Sequence, residues 1–189
     1  MARAAPVATM SFPQYLAFEA AAATKHEFLD GRVYAMSGGT PEHAALAAAV
    51  IIQLGTALRG RPCRVFSADL RIHSKATGLT TYADAAVVCG ALETSAEDDL
   101  ACTNPTLLVE VLSESTEAYD RGAKASHYRR IASLREFVLV TQSEPLVEVY
   151  RKNDRGLWEL AVEARSGTVE LASVDAGLDL ATLYANPLS

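Results

Sequence analysis

Two carboxylates and a lysine stand in stretches whose apolar composition argues for burial. Glu110 interrupts the run Leu107-Leu108-Val109, which Val111 and Leu112 resume. Asp84 lies within TYADAAVV, residues 81–88, where Tyr82, Asp84, Ala86 and Val88 would share one face of a strand by period two. Lys124, Tyr128 and Ile131 fall at i, i+4 and i+7 on the helix expected after the Glu110 strand, so Lys124 should share its apolar face and point to the sheet. A lone buried charge is expensive, so each of these groups needs a cation, a hydrogen-bond network or a shifted pKa. On neighbouring strands, Asp84 and Glu110 could converge on one divalent cation. Oxygen donors without thiolates or several histidines favour magnesium or manganese over zinc. Lys124 beside such a cation could stabilise the charge of a scissile phosphate or hold the attacking water. The structural alternative pairs either acid with an arginine at the sheet rim, or closes Glu110 and Lys124 into a buried salt bridge. Such a bridge is costly and needs another reason to be there.

Weaker candidates surround these three. Glu27 sits on the first strand of an expected hairpin, on the face opposite Phe28, where a solvated or cross-strand role is the ordinary one. His43 precedes Val50 by seven residues and so points inward near a helix N-terminus, where a hydrogen-bonded core histidine is commoner than a base. Tyr128 should pack on the sheet with its hydroxyl near Lys124. Arg121, Lys124, Arg129, Arg130 and Arg135 gather around one helix. Arg129 and Arg130 could contact phosphates, although adjacent arginines on a helix ordinarily form a solvated face.

The elements that must position these residues follow from pattern. Residues 1–10 read as a flexible tail and residues 11–189 as a single domain. Ser11 caps a first helix with Pro13 near its start. Residues 25–36, KHEFLDGRVYAM, form a hairpin turning at Asp30-Gly31. After a Ser37-Gly38-Gly39 loop, Thr40-Pro41 opens a long helix that ends near Gly60, with Leu46, Val50, Leu54 and Leu58 on one face. Strands are expected over 64–67, 70–72 and 81–88, then a loop over 89–104 whose acidic run Glu97-Asp98-Asp99 is solvated. The Glu110 strand ends in a polar turn at 113–116, and Thr116 or Asp120 caps the next helix. Further strands fall at 135–140, 146–150, 157–162 and 168–171, with a last helix at 179–184 and Pro187 closing the ordered part. The pattern predicts one α/β domain with a mixed central sheet flanked by helices. The helix between Leu112 and Arg135 serves as a crossover between parallel strands.

Composition bounds the reading. A chain of 189 residues, 50% hydrophobic, is the size of one domain and can bury a real core. Its net charge of -6 offers no global basic field, so any nucleic-acid contact needs a local basic patch or a dimer groove. The three cysteines, Cys63, Cys89 and Cys102, form no CxxC pair or zinc pattern, and an odd number fits a disulfide framework poorly. They read as free thiols in a reducing cytoplasm. No run reaches the ~18 apolar residues of a membrane helix, and the N-terminus has Arg3 but no apolar stretch behind it, so neither a span nor a secretory leader is expected.

Taken in order, EFLDGRVYAMSGGTPEH, YADAAVV, PTLLVEVLSEST, YDRGAKASHYRRI and LREFVLV resemble the Uma-two family, endonuclease-like proteins of the wider PD-(D/E)XK restriction-endonuclease-like superfamily. The resemblance runs over roughly residues 12–184. It rests most on EVLSEST combined with D-R-G-x-K-x-x-x-Y. It implies a restriction-endonuclease-like fold and a magnesium-dependent phosphodiesterase site. Asp84 matches the family's strand aspartate, and Glu110 the acid of the second motif strand. The superfamily's usual lysine position, two residues after that acid, is Leu112 here, and Lys124 matches the family's relocated lysine. Glu27 matches an N-terminal glutamate that joins or supports the site. Ala83 replaces the family's usual proline before the aspartate, a change of backbone more than of chemistry. On this reading Asp84, Glu110 and the backbone carbonyl of Val111 hold Mg2+ or Mn2+. Lys124 positions water and neutralises phosphate charge, and Glu27 tunes the site. A cytoplasmic homodimer acting on nucleic acid, with DNA the expected substrate, is the implied enzyme. The alternative is a non-catalytic nucleic-acid-binding or regulatory module whose acids and lysine form a structural polar core. Superfamily membership does not by itself establish cleavage of any substrate.

Overall fold

Short strands dominate the chain. A computed structural model describes residues 5–36 and 38–185. In chain order its strands are β1 (Ala8–Thr9), β2 (His26–Leu29), β3 (Arg32–Ala35), β4 (Cys63–Ser67), β5 (Arg71–His73), β6 (Thr80–Tyr82), β7 (Ala85–Cys89), β8 (Ala101–Cys102), β9 (Leu107–Leu112), β10 (Glu136–Thr141), β11 (Val147–Lys152), β12 (Trp158–Ala164), β13 (Thr168–Leu171) and β14 (Ala176–Asp179). The helices are α1 (Phe12–Ala21), α2 (Pro41–Ala57), α3 (Glu117–Tyr119), α4 (Ala125–Tyr128) and α5 (Leu180–Leu183), with a π-helical turn at Asp120–Lys124 joining α3 to α4. The strands form two six-stranded sheets, ordered β1-β3-β2-β6-β5-β8 and β12-β11-β10-β9-β7-β4, and a β13-β14 pair. Each large sheet is mixed: β9 runs parallel to β10 and β5 parallel to β8, and the other pairs are antiparallel.

The second sheet forms the core. Strands β9 and β10 are buried along their whole length, as their continuous apolar runs require of strands covered on both faces. One face packs Val87, Val109, Val138 and Val149 against Leu46, Val50, Leu54 and Leu58, the predicted stripe of α2. The other packs Leu108, Leu112 and Phe137 against Ala125, Tyr128, Ile131 and Leu134, on and just beyond α4. The α3–α4 segment is therefore the crossover between parallel β9 and β10 that the sequence predicts. The β2–β3 hairpin turns where expected, with Asp30 and Gly31 at φ 51° and 76°, the left-handed pair its two-residue loop demands.

Several expectations need correction. The single central sheet is two mixed sheets with few helices. Residues 7–10 are not a tail. The Val7 and Met10 amides donate to the Val33 and Gly31 carbonyls, and β1 pairs with β3 as an edge strand. The 1–10 tail otherwise falls partly on residues 1–4, outside the described residues, as do Ser37 and Pro187. Residues 81–88 are two strands: β6 pairs with β2 and β5 in one sheet, β7 with β4 and β9 in the other, and the chain changes sheets at Ala83-Asp84. The 89–104 loop carries β8. Its acidic run is not wholly solvated, because Asp98 is buried with its Oδ2 2.8 Å from Arg71 Nη1. Of the two expected caps, Thr116 holds the N-cap position of α3 but makes no side-chain cap bond, and Asp120 lies inside the segment. Strand β14 was not anticipated. Cys63 and Cys89 are joined in a disulfide, not free, and Cys102 is the buried free thiol. The two are directly opposed across antiparallel β4 and β7 with Cα atoms 4.0 Å apart, a closeness that 26 residues of separation conceal in the sequence. With Cys63 and Cys89 bonded, the cysteines no longer point to a reducing cytoplasm.

Candidate active site

The sheet register places the two principal acids together. Ala85 of β7 pairs with Val109 of β9, so Asp84, one residue before this ladder begins, lies beside the Glu110-Val111 step of β9. The Val111 amide donates to Asp84 Oδ2 at 2.7 Å, fixing the carboxylate against the end of β9. From above, the π-helical turn delivers Lys124, whose Nζ lies 2.9 Å from Glu110 Oε1 and donates to the Tyr82 carbonyl at 3.1 Å. Tyr128, one turn on, donates its hydroxyl to the same Glu110 oxygen at 2.6 Å. Glu27 enters from the other sheet. Thr81 Oγ1 donates to its Oε1 and Tyr119 to its Oε2 at 2.8 Å, while Lys124 Nζ is 3.9 Å away. His43, in the first turn of α2, brings Nε2 to 3.3 Å from Asp84 Oδ2.

All of these side chains except Tyr128 and Thr81 line one cleft of about 680 Å³ at the seam between the two large sheets. Its floor holds Glu27, Asp84, Glu110, Asp120 and Lys124. Its apolar lining comes from Ala44, Ala47, Ala48 and Ile51 of α2 together with Met36. Glu110 and Lys124 are almost wholly buried at its base, whereas the Asp84 and His43 side chains each keep 18% exposure.

Charge is unbalanced here. Four carboxylates, Glu27, Asp84, Glu110 and Asp120, meet two lysines and one histidine, and Lys25 is paired with Asp69 outside the cleft lining. Burial pushes the Glu110 carboxyl well up, with the Asp120 and Asp84 charges adding to the rise and Lys124 opposing it. Burial also raises Asp120. For Lys124 burial acts downward, but the Glu110 carboxylate and its other neighbours outweigh it and keep the ammonium charged. Burial keeps the Tyr128 phenol protonated, so it donates to Glu110. A hydrogen bond to Asp84 raises His43, against the effect of burial.

This excess of buried negative charge fits a divalent cation. Asp84 and Glu110 are hard oxygen donors on the cleft floor, and Val111 lines the cleft beside them. Magnesium is characteristically held by one or two carboxylates with water completing its shell. Among the described residues no three His, Cys, Asp or Glu side chains are already gathered as a metal shell.

The structure thus brings together Asp84, Glu110, Lys124, Glu27 and Val111. It does not bring the arginines with them. Arg121 pairs with Glu117 and Glu148, Arg129 lies over the Tyr150 ring, and among the described residues no arginine lines the cleft. Two residues the sequence reading did not assign to the site are Asp120, 3.5 Å from Lys124 Nζ, and Tyr119. Asp120 precedes Lys124 by four residues, the spacing of neighbours on a helix, and that signal was legible. Tyr119 carried none, because its partner lies 92 residues away.

Known proteins share this architecture. A crystal structure described as "a putative nuclease belonging to DUF820" from Anabaena variabilis ATCC 29413 superposes with a TM-score of 0.68 over 86% of this chain and 91% of its own, at 16% identity, a likeness of fold. Two proteins of Synechocystis sp. (strain ATCC 27184 / PCC 6803 / Kazusa), both named as uncharacterized, are closer in sequence. Protein slr1290 is 33% identical over 180 residues, covering 95% of this chain and 94% of its own. Protein sll1609 is 30% identical over 147 residues, covering 78% and 83%. The Uma2 family model, described as "Putative restriction endonuclease", matches residues 12–182, and with that span matched the chain belongs to the Uma2 family.

Proposed function

We propose that this protein is a metal-dependent nuclease that hydrolyses phosphodiester bonds in nucleic acid, with DNA the expected substrate and a homodimer the working form. The observation that carries this reading is the convergence of Asp84 and Glu110 on one cleft, with Asp84 hydrogen-bonded to the Val111 amide and Lys124 Nζ 2.9 Å from Glu110. Asp84, Glu110 and the Val111 carbonyl would hold Mg2+ or Mn2+. When bound, that ion supplies Lewis-acid polarisation of the phosphate and a water acidified toward neutrality. The protein's own groups do the rest. Lys124, held charged at the cleft floor, positions the attacking water and offsets the negative charge that grows on the phosphate oxygens. Tyr128 fixes one Glu110 oxygen. Thr81 and Tyr119 fix Glu27, which with Asp120 sets where the Lys124 ammonium rests.

Asp84→Ala tests the reading. Incubated with Mn2+ or Mg2+ and single- or double-stranded DNA or RNA, the wild type should cleave at least one substrate. The variant should cleave none and lose metal binding by calorimetry while keeping its melting temperature. Cleavage by Asp84→Ala at the wild-type rate would end the assignment.

A second reading is a non-catalytic module, favoured by the burial of the whole Glu110–Lys124–Tyr128 network. It predicts that a melt of Lys124→Ala falls by the same amount with and without magnesium, and that the wild type cuts nothing.

A further inference from the structure

His43 is held more firmly than a bystander needs to be. The Thr40 side chain accepts from the His43 amide at 3.1 Å, which fixes the first turn of α2. The preceding loop then passes directly over the imidazole. A Cβ on Gly39 would stand 2.7 Å from His43 Nδ1 and 3.0 Å from Cγ, so a side chain there would displace the ring. In this seat Nε2 lies 3.3 Å from Asp84 Oδ2, the oxygen that also accepts from the Val111 amide. Asp84 is one of the three groups assigned above to the cation. Donors on adjacent corners of an octahedral shell with ~2.1 Å bonds stand about 3 Å apart, so His43 and Asp84 already have close to the spacing of neighbouring ligands. Glu110 is less free, because one of its oxygens already accepts from Tyr128 and is ion-paired with Lys124.

We propose that His43 Nε2 is a direct donor to the cation of this cleft, beside Asp84 and the Val111 carbonyl, and that it biases the site toward Mn2+ over Mg2+. An imidazole suits first-row transition ions, whereas magnesium takes oxygen donors. The inference rests on the cation reading above. Gly39 acts as a positioning residue, since it leaves the ring room to stay in place.

The test uses the full-length chain loaded with Mn2+ and read by electron spin-echo modulation, which detects a nitrogen bonded to the ion. Wild type should show nitrogen modulation, and His43→Ala should lose it. Gly39→Ala, which keeps the imidazole but crowds it, should weaken it. By calorimetry His43→Ala should bind Mn2+ about tenfold less tightly and Mg2+ within about threefold of wild type. Mn2+ bound in an Asp84-dependent way but without nitrogen modulation would overturn the His43 assignment and leave the cation reading standing. Nitrogen modulation persisting in His43→Ala would overturn it too. Failure of wild type to bind Mn2+ at all would overturn both.

Discussion

The Lys124 ammonium is nearly inaccessible to water, and its closest anion, Glu110, is equally buried. Such a pair contributes little net stability when intact but is expensive to halve. Lys124→Met, which keeps much of the side-chain volume, should therefore lower the unfolding free energy by on the order of 3 kcal/mol at neutral pH. Lys124→Met/Glu110→Gln should recover most of that loss, with both measured by urea denaturation. Asp120 gives a pH signature. Burial raises its folded pKa above the ordinary 3.8, so the folded state holds its proton more tightly than the unfolded chain does. Its contribution to stability is full below 3.8 and is lost as pH rises through the folded value. Asp120→Asn mimics the protonated form and escapes this loss. The melting temperature of the variant relative to wild type should climb as pH rises from about 4 toward neutrality, and a flat difference would contradict the burial argument. Glu110 and Lys124 were legible in the sequence because each violates an apolar periodicity. Glu27 was less so, because its hydroxyl partners Thr81 and Tyr119 lie 54 and 92 residues away and only the fold brings them near.

At the scale of elements, the pattern located most strands and the crossover, and failed where the chain changes sheets. TYADAAVV keeps its alternation straight through the junction between β6 and β7, so periodicity could not show the break. Yet the break is what turns Asp84 out of a ladder and into the cleft. The acidic run failed for a related reason. Surface charge was the reasonable reading of Glu97-Asp98-Asp99, but Asp98 meets Arg71 of β5 and so ties the β8 segment to its sheet. Arg71→Met should leave Asp98 buried without its cation and cost on the order of 3 kcal/mol. A thermal melt monitored by circular dichroism reads this directly. The π-helical turn at Asp120–Lys124 is likewise invisible to a 3.6-residue template. Such turns occur frequently at functional sites, and this one carries both Asp120 and Lys124 inward.

For the whole molecule, the Cys63–Cys89 bond ties edge strand β4 to β7, the strand that continues from Asp84. It spans 26 residues of sequence, and a loop of that size corresponds to roughly 3 kcal/mol of stability. Cys63→Ser/Cys89→Ser should melt lower than oxidised wild type by a matching amount and should not respond further to reductant. The cleft has a consequence beyond chemistry. Its charges come from both large sheets: Glu27 from one, Glu110 from the other, and Lys124 touching each. Parting the sheets would strand every one of them in a half-dry gap. The seam therefore acts as a latch on partial opening. Amide protons of β2 and β6 should exchange with solvent in concert with those of the π-helical turn, on a clock set by this charge cluster and slowed when a cation is bound.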